Sequence, residues 1–204
     1  MIVSLQLIEE AEKILDIEFE EDVKSKLVEY CNLLLDWNKK INLISRKSEY
    51  HVLREGIVET FSLVQILEYC GGADLIDIGT GGGIPGLIAA IMLPDSHFTL
   101  IDSIAKKIKV VDDIREKMGL ENVTPLCKNL KDISSKYEGK FDTLFTRGVG
   151  KHNELMSHFL KVINDNGTVL ILTGDDKLDD PCYKDAHIES NPYLESRVIV
   201  TIEK

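Results

Sequence analysis

The sequence has neither a membrane-spanning segment nor a cysteine framework. No apolar run approaches the roughly 20 residues that cross a bilayer, and the first residues lack the basic segment of a secretory signal peptide. The four cysteines are far apart and include no C-x-x-C pair, which argues against a zinc site or disulfide scaffold and for reduced thiols. We therefore expect a cytoplasmic protein with no metal and no membrane contact.

Positive charge is also scarce. The sequence contains 24 lysines and arginines and 35 acidic residues, which gives a formal net charge of −11. On totals alone this argues against a nucleic-acid partner. The basic residues are nevertheless clustered, at 39–54 and again at 106–109. The sequence leaves two interpretations open: a basic face on an acidic body, or solvated helix surfaces.

Apolar residues recur at helical spacing over the first third of the chain. The pattern predicts two amphipathic helices up to Trp37, a turn-rich stretch over 36–45, and a third helix that starts at Ser48 and stops at 71–72. We interpret residues 1–72 as an N-terminal helical subdomain. Trp37 is the only tryptophan, and core packing suits it better than stacking on a base.

Strands and helices alternate from residue 73 onward. This order predicts a doubly wound, mostly parallel α/β sheet over residues 73–204, with Pro125 in an edge strand. The polar stretch 173–195 and the last strand suit an antiparallel edge pair. The predicted strands cover 74–79, 97–102, 123–127, 141–146, 168–172 and 197–202.

The stretch LIDIGTGGGIPG, residues 75–86, predicts a buried strand, a glycine loop and the start of a helix. Glycines allow a ligand to approach the backbone closely, and the free N–H groups of the loop face whatever lies above the strand. The G-x-G-x-x-G spacing at Gly81, Gly83 and Gly86 is by itself weak evidence for a dinucleotide. Asp77 just before the loop would repel a pyrophosphate and attract a cationic, amino-bearing cofactor, so S-adenosylmethionine fits better than NAD.

Three further strand ends should meet this loop, because ligands of open parallel sheets bind beyond the carboxyl ends of the strands. The second strand ends in Asp102, the third near 129–132 and the fourth at Arg147. A carboxylate at the end of the second strand can accept both hydroxyls of a ribose. In the alternative interpretation, Asp102 only caps the helix that follows.

These motifs, together with WNKKINL at residues 37–43, resemble the glucose-inhibited division protein B family of bacterial methyltransferases over nearly the whole chain. The resemblance implies a Rossmann-like class I S-adenosylmethionine methyltransferase fold. It also implies methyl transfer from S-adenosylmethionine to N7 of a guanine in 16S ribosomal RNA. The implied partner is this RNA or the 30S subunit, and we expect a monomeric enzyme.

The loop and the resemblance together give a set of expected site residues. No catalytic residue is expected, because guanine N7 has a lone pair and no proton to remove, which leaves positioning and electrostatics. The residues expected at the cofactor are Asp77, Gly79, Gly81, Gly83, Ile84, Asp102, Leu130, Lys131 and Arg147. Those expected to face RNA are Lys39, Lys40, Arg46, Arg54 and Arg147.

The sequence departs from the family pattern in the third helix and after the fifth strand. Gly56, Glu59 and Thr60 align where the family has a histidine and then Asp-Ser, and residues 173–174 are Thr-Gly instead of Lys-Gly. An acidic segment, 175–195, stands where the family often has another helix. These departures leave two alternatives: a small-molecule methyltransferase, and a cofactor- or RNA-binding module without turnover.

Overall fold

The computed structural model describes residues 2–45, 48–70 and 73–204. Three helices precede the sheet, as predicted. The helices of the described residues are α1 Ile2–Leu15, α2 Glu21–Asn38, α3 Glu49–Cys70, α4 Gly86–Met92, α5 Ala105–Met118, α6 Leu130–Ile133 and α7 His152–Val162. The strands are β1 Asp74–Ile78, β2 His97–Asp102, β3 Val123–Cys127, β4 Phe141–Arg147, β5 Ile163–Gly174, β6 His187–Ser190 and β7 Arg197–Glu203. The predicted helix stop at 71–72 lies outside the described residues.

The strands form one sheet in the order β3-β2-β1-β4-β5-β7-β6. The first five strands in this order pair in parallel, whereas β7 runs antiparallel to both β5 and β6. The strand order reverses between β1 and β4, so the carboxyl ends of the central strands open onto one crevice. The predicted parallel sheet, the edge position of the Pro125 strand and the antiparallel edge pair are all confirmed.

Two apolar clusters cover the two faces of the sheet. One cluster contains residues from α1 to α5 together with inward-facing residues of the strands. The other contains residues from α6 and α7 with the opposite strand face. The N-terminal helices therefore share a core with α4 and α5. None of the described helices combines the length and apolarity that a membrane crossing needs.

The structure differs from the sequence-based prediction in three elements. β5 begins at Ile163, directly after α7, because Ile163 pairs with Phe141 across a register shift in β4. α6 was not predicted; the Asn129 side chain accepts a hydrogen bond from the Lys131 N–H and starts this short helix. β6 was not predicted as a separate strand, because all four of its residues are exposed and leave no apolar periodicity to detect.

Candidate functional site

A cavity of about 430 Å³ opens at the carboxyl ends of β1 and β2, within the size range of small-molecule sites. We call it the first cavity. The predicted site residues Gly79, Asp102, Leu130 and Lys131 all line it. The remaining lining residues are Ile78, Ile101, Ser103, Ile104, Lys107, Lys128, Asn129, Gly148, Val149, Gly150, Lys151, Glu154 and Leu155.

Gly79 forms the floor of the first cavity, and its conformation requires a glycine. Its φ is +76°, and a Cβ there would lie 2.2 Å from Cγ2 of Val149. The N–H groups of Gly79 and Thr80 both donate to the Ile101 carbonyl, at 2.8 and 3.0 Å. The loop is therefore fixed to the end of β2 on one side and packed beneath the β4–α7 connection on the other.

Asp102 ends β2 and is only 6% exposed. Its Oδ1 accepts a hydrogen bond from the Ile104 N–H at 2.9 Å, and its Oδ2 accepts one from the Gly81 N–H at 3.2 Å. Lys107 Nζ lies 3.3 Å from Oδ2. Both sequence interpretations thus have a structural counterpart: Asp102 supports the start of α5, and it also forms part of the cavity wall.

Asp77 lies beneath the loop and does not line the first cavity. The side chain is fully buried, and its Oδ2 accepts a hydrogen bond from the Gly86 N–H at 3.1 Å. Burial raises the pKa of Asp77 from 3.8 to about 7, although the hydrogen bond from the Gly86 N–H opposes this shift. Asp77 can therefore act on a bound cofactor through the loop geometry and through its charge.

The other predicted loop residues, Gly81, Gly83 and Ile84, do not line the first cavity. Gly83 packs against Leu87 of α4, and Ile84 packs against α3. Tyr30 of α2 is fully buried and donates a hydrogen bond from its hydroxyl to the Gly82 carbonyl at 3.0 Å. A Cβ at Gly56 of α3 would lie 2.9 Å from Cγ2 of Ile84. The helical region thus supports the loop from the side opposite the cavity.

Ile104 is a wall residue that the sequence analysis missed. It lies two residues after Asp102, lines the first cavity and is 49% exposed, which is high for a large apolar side chain. The signal in the sequence was an apolar residue directly outside a strand end and just before a helix. An exposed apolar side chain beside a cavity provides a surface for a flat ring.

Arg147 lies in a neighbouring cavity of about 410 Å³, which we call the second cavity. It does not line the first cavity. The two cavities share Gly148, Val149, Gly150 and Lys151. The second cavity is also lined by Glu59, His152, Leu172, Thr173, Gly174, Lys177, Asp180 and Arg197.

Three of the basic residues that were expected to face RNA, Lys39, Lys40 and Arg54, do not line either cavity. Lys39 Nζ lies 2.8 Å from Asp36 Oδ1, and Arg54 Nη1 lies 3.0 Å from Glu10 Oε2. Lys40 Nζ lies 4.8 Å from the centre of the Trp37 ring. Arg46 lies outside the described residues.

The first cavity has the features of a nucleoside site. A buried carboxylate can accept ribose hydroxyls, and Ile104 and Leu130 offer apolar surface for a base. The glycine loop beside them leaves room for an attached chain. Within residues 2–45, 48–70 and 73–204, no three His, Cys, Asp or Glu side chains group closely enough to hold a metal ion.

Comparison with known sequences gives a family match over most of the chain. A family model described as rRNA small subunit methyltransferase G matches residues 23–203. Ribosomal RNA small subunit methyltransferase G of Christiangramia forsetii is 42% identical over 118 residues, which cover 58% of this chain and 56% of that protein. The protein of the same name from Clostridium novyi is 33% identical over 162 residues, covering 78% of this chain and 66% of its own. The matched part thus spans less than two thirds of these two relatives.

Two solved structures with similar folds carry methyltransferase names. A methyltransferase from Geobacter sulfurreducens aligns with a TM-score of 0.59 at 11% identity, over 85% of this chain and 87% of its own. Precorrin-6y C5,15-methyltransferase from Geobacter metallireducens aligns with a TM-score of 0.56 at 16% identity, over 80% of this chain and 92% of its own. At these identities the likeness concerns the fold alone, and that fold is the class I methyltransferase fold.

Proposed function

Because the chain belongs to the rRNA small subunit methyltransferase G family, we propose that it transfers a methyl group from S-adenosylmethionine to N7 of a guanine in 16S ribosomal RNA. The observation that carries this proposal is the first cavity, where the buried Asp102 carboxylate stands beside the glycine loop. The acceptor would be 16S RNA, alone or in the 30S subunit. Since this RNA is cytoplasmic in bacteria, we propose the same location for the protein, acting as a monomer.

The residues of the first cavity fit S-adenosylmethionine group by group. Asp102 would accept the ribose hydroxyls, and Ile104, Leu130 and Lys131 would surround the adenine. Gly79 would lie under the methyl-bearing end. Asp77, Gly81, Gly83 and Ile84 would keep the loop in shape, and Asp77 in its ionised form would place a negative charge beneath it.

The proposed reaction needs no general base from the protein. When bound, S-adenosylmethionine supplies an electrophilic methyl group that the lone pair of guanine N7 can accept by in-line displacement. N7 carries no proton, so this chain has only to hold the base and the cofactor in line and to exclude water.

A small-molecule acceptor is the second candidate. It is favoured by the net charge of −11 and by the acidic partners of Lys39 and Arg54 in the N-terminal helices. Methylation of a metabolite fraction without methylation of ribosomal RNA would support this second candidate.

The experiment that tests the proposal is methyl transfer from labelled S-adenosylmethionine to 30S subunits, to naked 16S RNA and to transfer RNA. We expect label in 16S RNA, at guanine N7, and none in transfer RNA.

The Asp102→Asn variant should bind the cofactor about tenfold more weakly or worse, because one charged acceptor is lost. Asp112→Asn, an exposed carboxylate on α5, is the matched control and should bind normally. A folded wild-type protein that labels neither ribosomal substrate would refute the proposed function.

A further inference from the structure

The second cavity is cationic in an acidic protein. Its lining includes Arg147, Lys151, Lys177 and Arg197, against the carboxylates of Glu59 and Asp180. It is separated from the first cavity by the backbone of 148–151, which both cavities share. A ligand in the second cavity would therefore lie directly beside a ligand in the first.

One buried carboxylate holds both arginines of the second cavity. The Glu59 side chain is 3% exposed; its Oε2 lies 2.5 Å from Arg147 Nε and its Oε1 lies 3.4 Å from Arg197 Nε. The two guanidinium groups come from different strands, β4 and β7. Glu59 of α3 thus fixes their relative positions and leaves the trio with a net positive charge.

The hydrogen bonds of this trio leave donors available to a ligand. Glu59 engages Nε of Arg147, and the terminal nitrogens of Arg147 make no hydrogen bond to any residue that the structure describes. Arg197 Nη2 lies 3.5 Å from Glu55 Oε2, which is a long contact. The Arg147 and Arg197 side chains are 21% and 36% exposed, so a ligand can reach them. Forked guanidinium donors in this state match the oxygen atoms of a phosphate.

Strand register places Arg197 where the sheet meets the cavity. Arg197 begins β7 and pairs with Gly174, and the next pair joins Val198 to Thr173. The antiparallel strand β7 therefore supplies a cation, Arg197, at the carboxyl end of β5. At this end of β5 the family has a lysine, and this chain has Thr173 in its place.

We propose that the second cavity binds a phosphate group of the acceptor nucleotide, with Arg147 and Arg197 as its ligands and Glu59 as the residue that positions them. This inference rests on the proposed RNA methyltransferase function. The methionine carboxylate of S-adenosylmethionine is the competing anion for these arginines, and the tests below separate it from a phosphate because its loss would weaken cofactor binding. A guanine whose backbone phosphate binds here is held next to the methyl-donor site.

The kinetic test uses Arg197→Gln with labelled cofactor and 16S RNA. We expect the KM for RNA to rise about tenfold, because a charge-assisted phosphate contact is lost, while the dissociation constant of S-adenosylmethionine stays within twofold. Adding Thr173→Lys to Arg197→Gln should recover part of the loss, because it returns a cation to the same cavity. Arg115→Gln, an arginine on α5 that lines neither cavity, should behave as wild type. An unchanged KM in a folded Arg197→Gln protein, or a weakened cofactor with normal KM, would overturn the assignment.

Glu59 is tested as a positioning residue. Glu59→Gln should raise the KM for RNA with little change in cofactor affinity. Glu59→Asp keeps the charge, so it should retain more activity than Glu59→Gln. A general folding defect would instead weaken cofactor binding and thermal stability in parallel, and that result contradicts the positioning role.

A binding measurement separates this inference from the proposed function. Guanosine 5′-monophosphate and guanosine are titrated by calorimetry into protein saturated with S-adenosylhomocysteine. We expect the monophosphate to bind about tenfold more tightly than guanosine, and this preference should disappear in Arg197→Gln. Equal affinities for the two ligands refute the phosphate site even if RNA is methylated. A phosphate preference without RNA methylation supports the anion site and refutes the RNA methyltransferase.

Discussion

At the scale of single residues, the most constrained group is the buried carboxylate of Asp77. It lies inside β1, has no exposed surface and bonds to the Gly86 N–H at the start of α4. Because burial penalises its ionised form, its pKa is raised to about 7. The Asp77 carboxyl therefore changes its charge near neutral pH, and it does so directly beneath the proposed cofactor.

The raised pKa of Asp77 predicts a stability that falls as the pH rises. Well below pH 3.8 the carboxyl is protonated in both the folded and the unfolded states. Between pH 3.8 and about pH 7 the Asp77 carboxyl is ionised in the unfolded chain but still protonated in the folded protein. The free energy of unfolding therefore falls with rising pH until the pH passes the folded pKa. Asp77→Asn removes this titration, and its stability relative to wild type should improve by up to about 4 kcal/mol across the interval. Urea unfolding of both proteins between pH 4 and 8 measures the difference, and parallel curves would contradict the shifted pKa.

Gly79 gives a second prediction at residue scale. Gly79→Ala introduces both a strained positive φ and a clash with Val149, so we expect a loss of about 1–3 kcal/mol and much weaker cofactor binding. Adding Val149→Ala should recover part of the loss, because it removes the clashing Cγ2 but not the strain. Gly139→Ala, with φ +64° and open space around the added Cβ, measures the strain alone. Equal effects of Gly79→Ala and Gly139→Ala would show that the close approach of Val149 is unimportant. Calorimetry and thermal unfolding provide the readouts.

At the scale of elements, α2 connects the glycine loop to α5. Tyr30 bonds to the loop at Gly82, and Leu34 lies so close that a Cβ at Gly82 would meet its Cδ1 at 2.8 Å. One helical turn further, the Trp37 indole N–H donates to Asp113 Oδ2 at 2.7 Å. Trp37 is partly buried against the core, so the predicted packing role is confirmed.

The hydrogen bond from α2 to the loop can be tested with matched tyrosines. Tyr30→Phe leaves the Gly82 carbonyl without its buried donor, so we expect a loss of about 1–3 kcal/mol in unfolding free energy and a weaker cofactor. Tyr69 is 93% exposed, and Tyr69→Phe should change neither quantity. The measurements are urea unfolding and cofactor titration. If both variants match wild type, α2 does not support the loop through Tyr30.

At the scale of the whole molecule, the N-terminal helices and the sheet share one apolar cluster. Leu7, Leu27 and Leu53, from α1, α2 and α3, are fully buried in it, together with Leu87 of α4. The division into residues 1–72 and 73–204 stays our proposal for the organisation of the chain. The shared core nevertheless implies that the two parts stabilise each other.

This coupling predicts that residues 73–204 do not fold alone. Removing α1 to α3 would expose the apolar face of α4, whose residues Gly86 to Ile91 are buried. We expect the fragment to lack cooperative thermal unfolding, and a separately expressed 1–72 fragment to restore it on mixing. The full chain is the control. A cooperative transition of the 73–204 fragment by itself would show that the helical region is a dispensable appendage.

The sequence by itself determined the order of the elements other than α6 and β6, and the position of the ligand crevice. Strands with near-continuous apolar runs, the glycine loop and Asp102 are local signals, because each follows from neighbouring residues. Parallel topology gave the expectation that the strand ends near Gly79, Asp102 and residues 129–132 meet at one crevice, and the resemblance singled out Gly79, Leu130 and Lys131 within them. Asp77 and the glycine loop indicated S-adenosylmethionine as the cofactor, and the family resemblance added the acceptor and the reaction to propose.

Only the tertiary structure decided which charges meet. Glu59, Arg147 and Arg197 are far apart in sequence, yet they converge because α3, β4 and β7 converge at one end of the sheet. The same holds for Arg54, whose charge is balanced by Glu10 across two helices. The spacing of apolar residues along the sequence indicates which side of a helix or strand is buried. It does not indicate the long-range contacts that place a cation in a cavity or pair it with an acid. The physical reason is that electrostatic partners are chosen by distance in space, which the sequence specifies only through the completed fold.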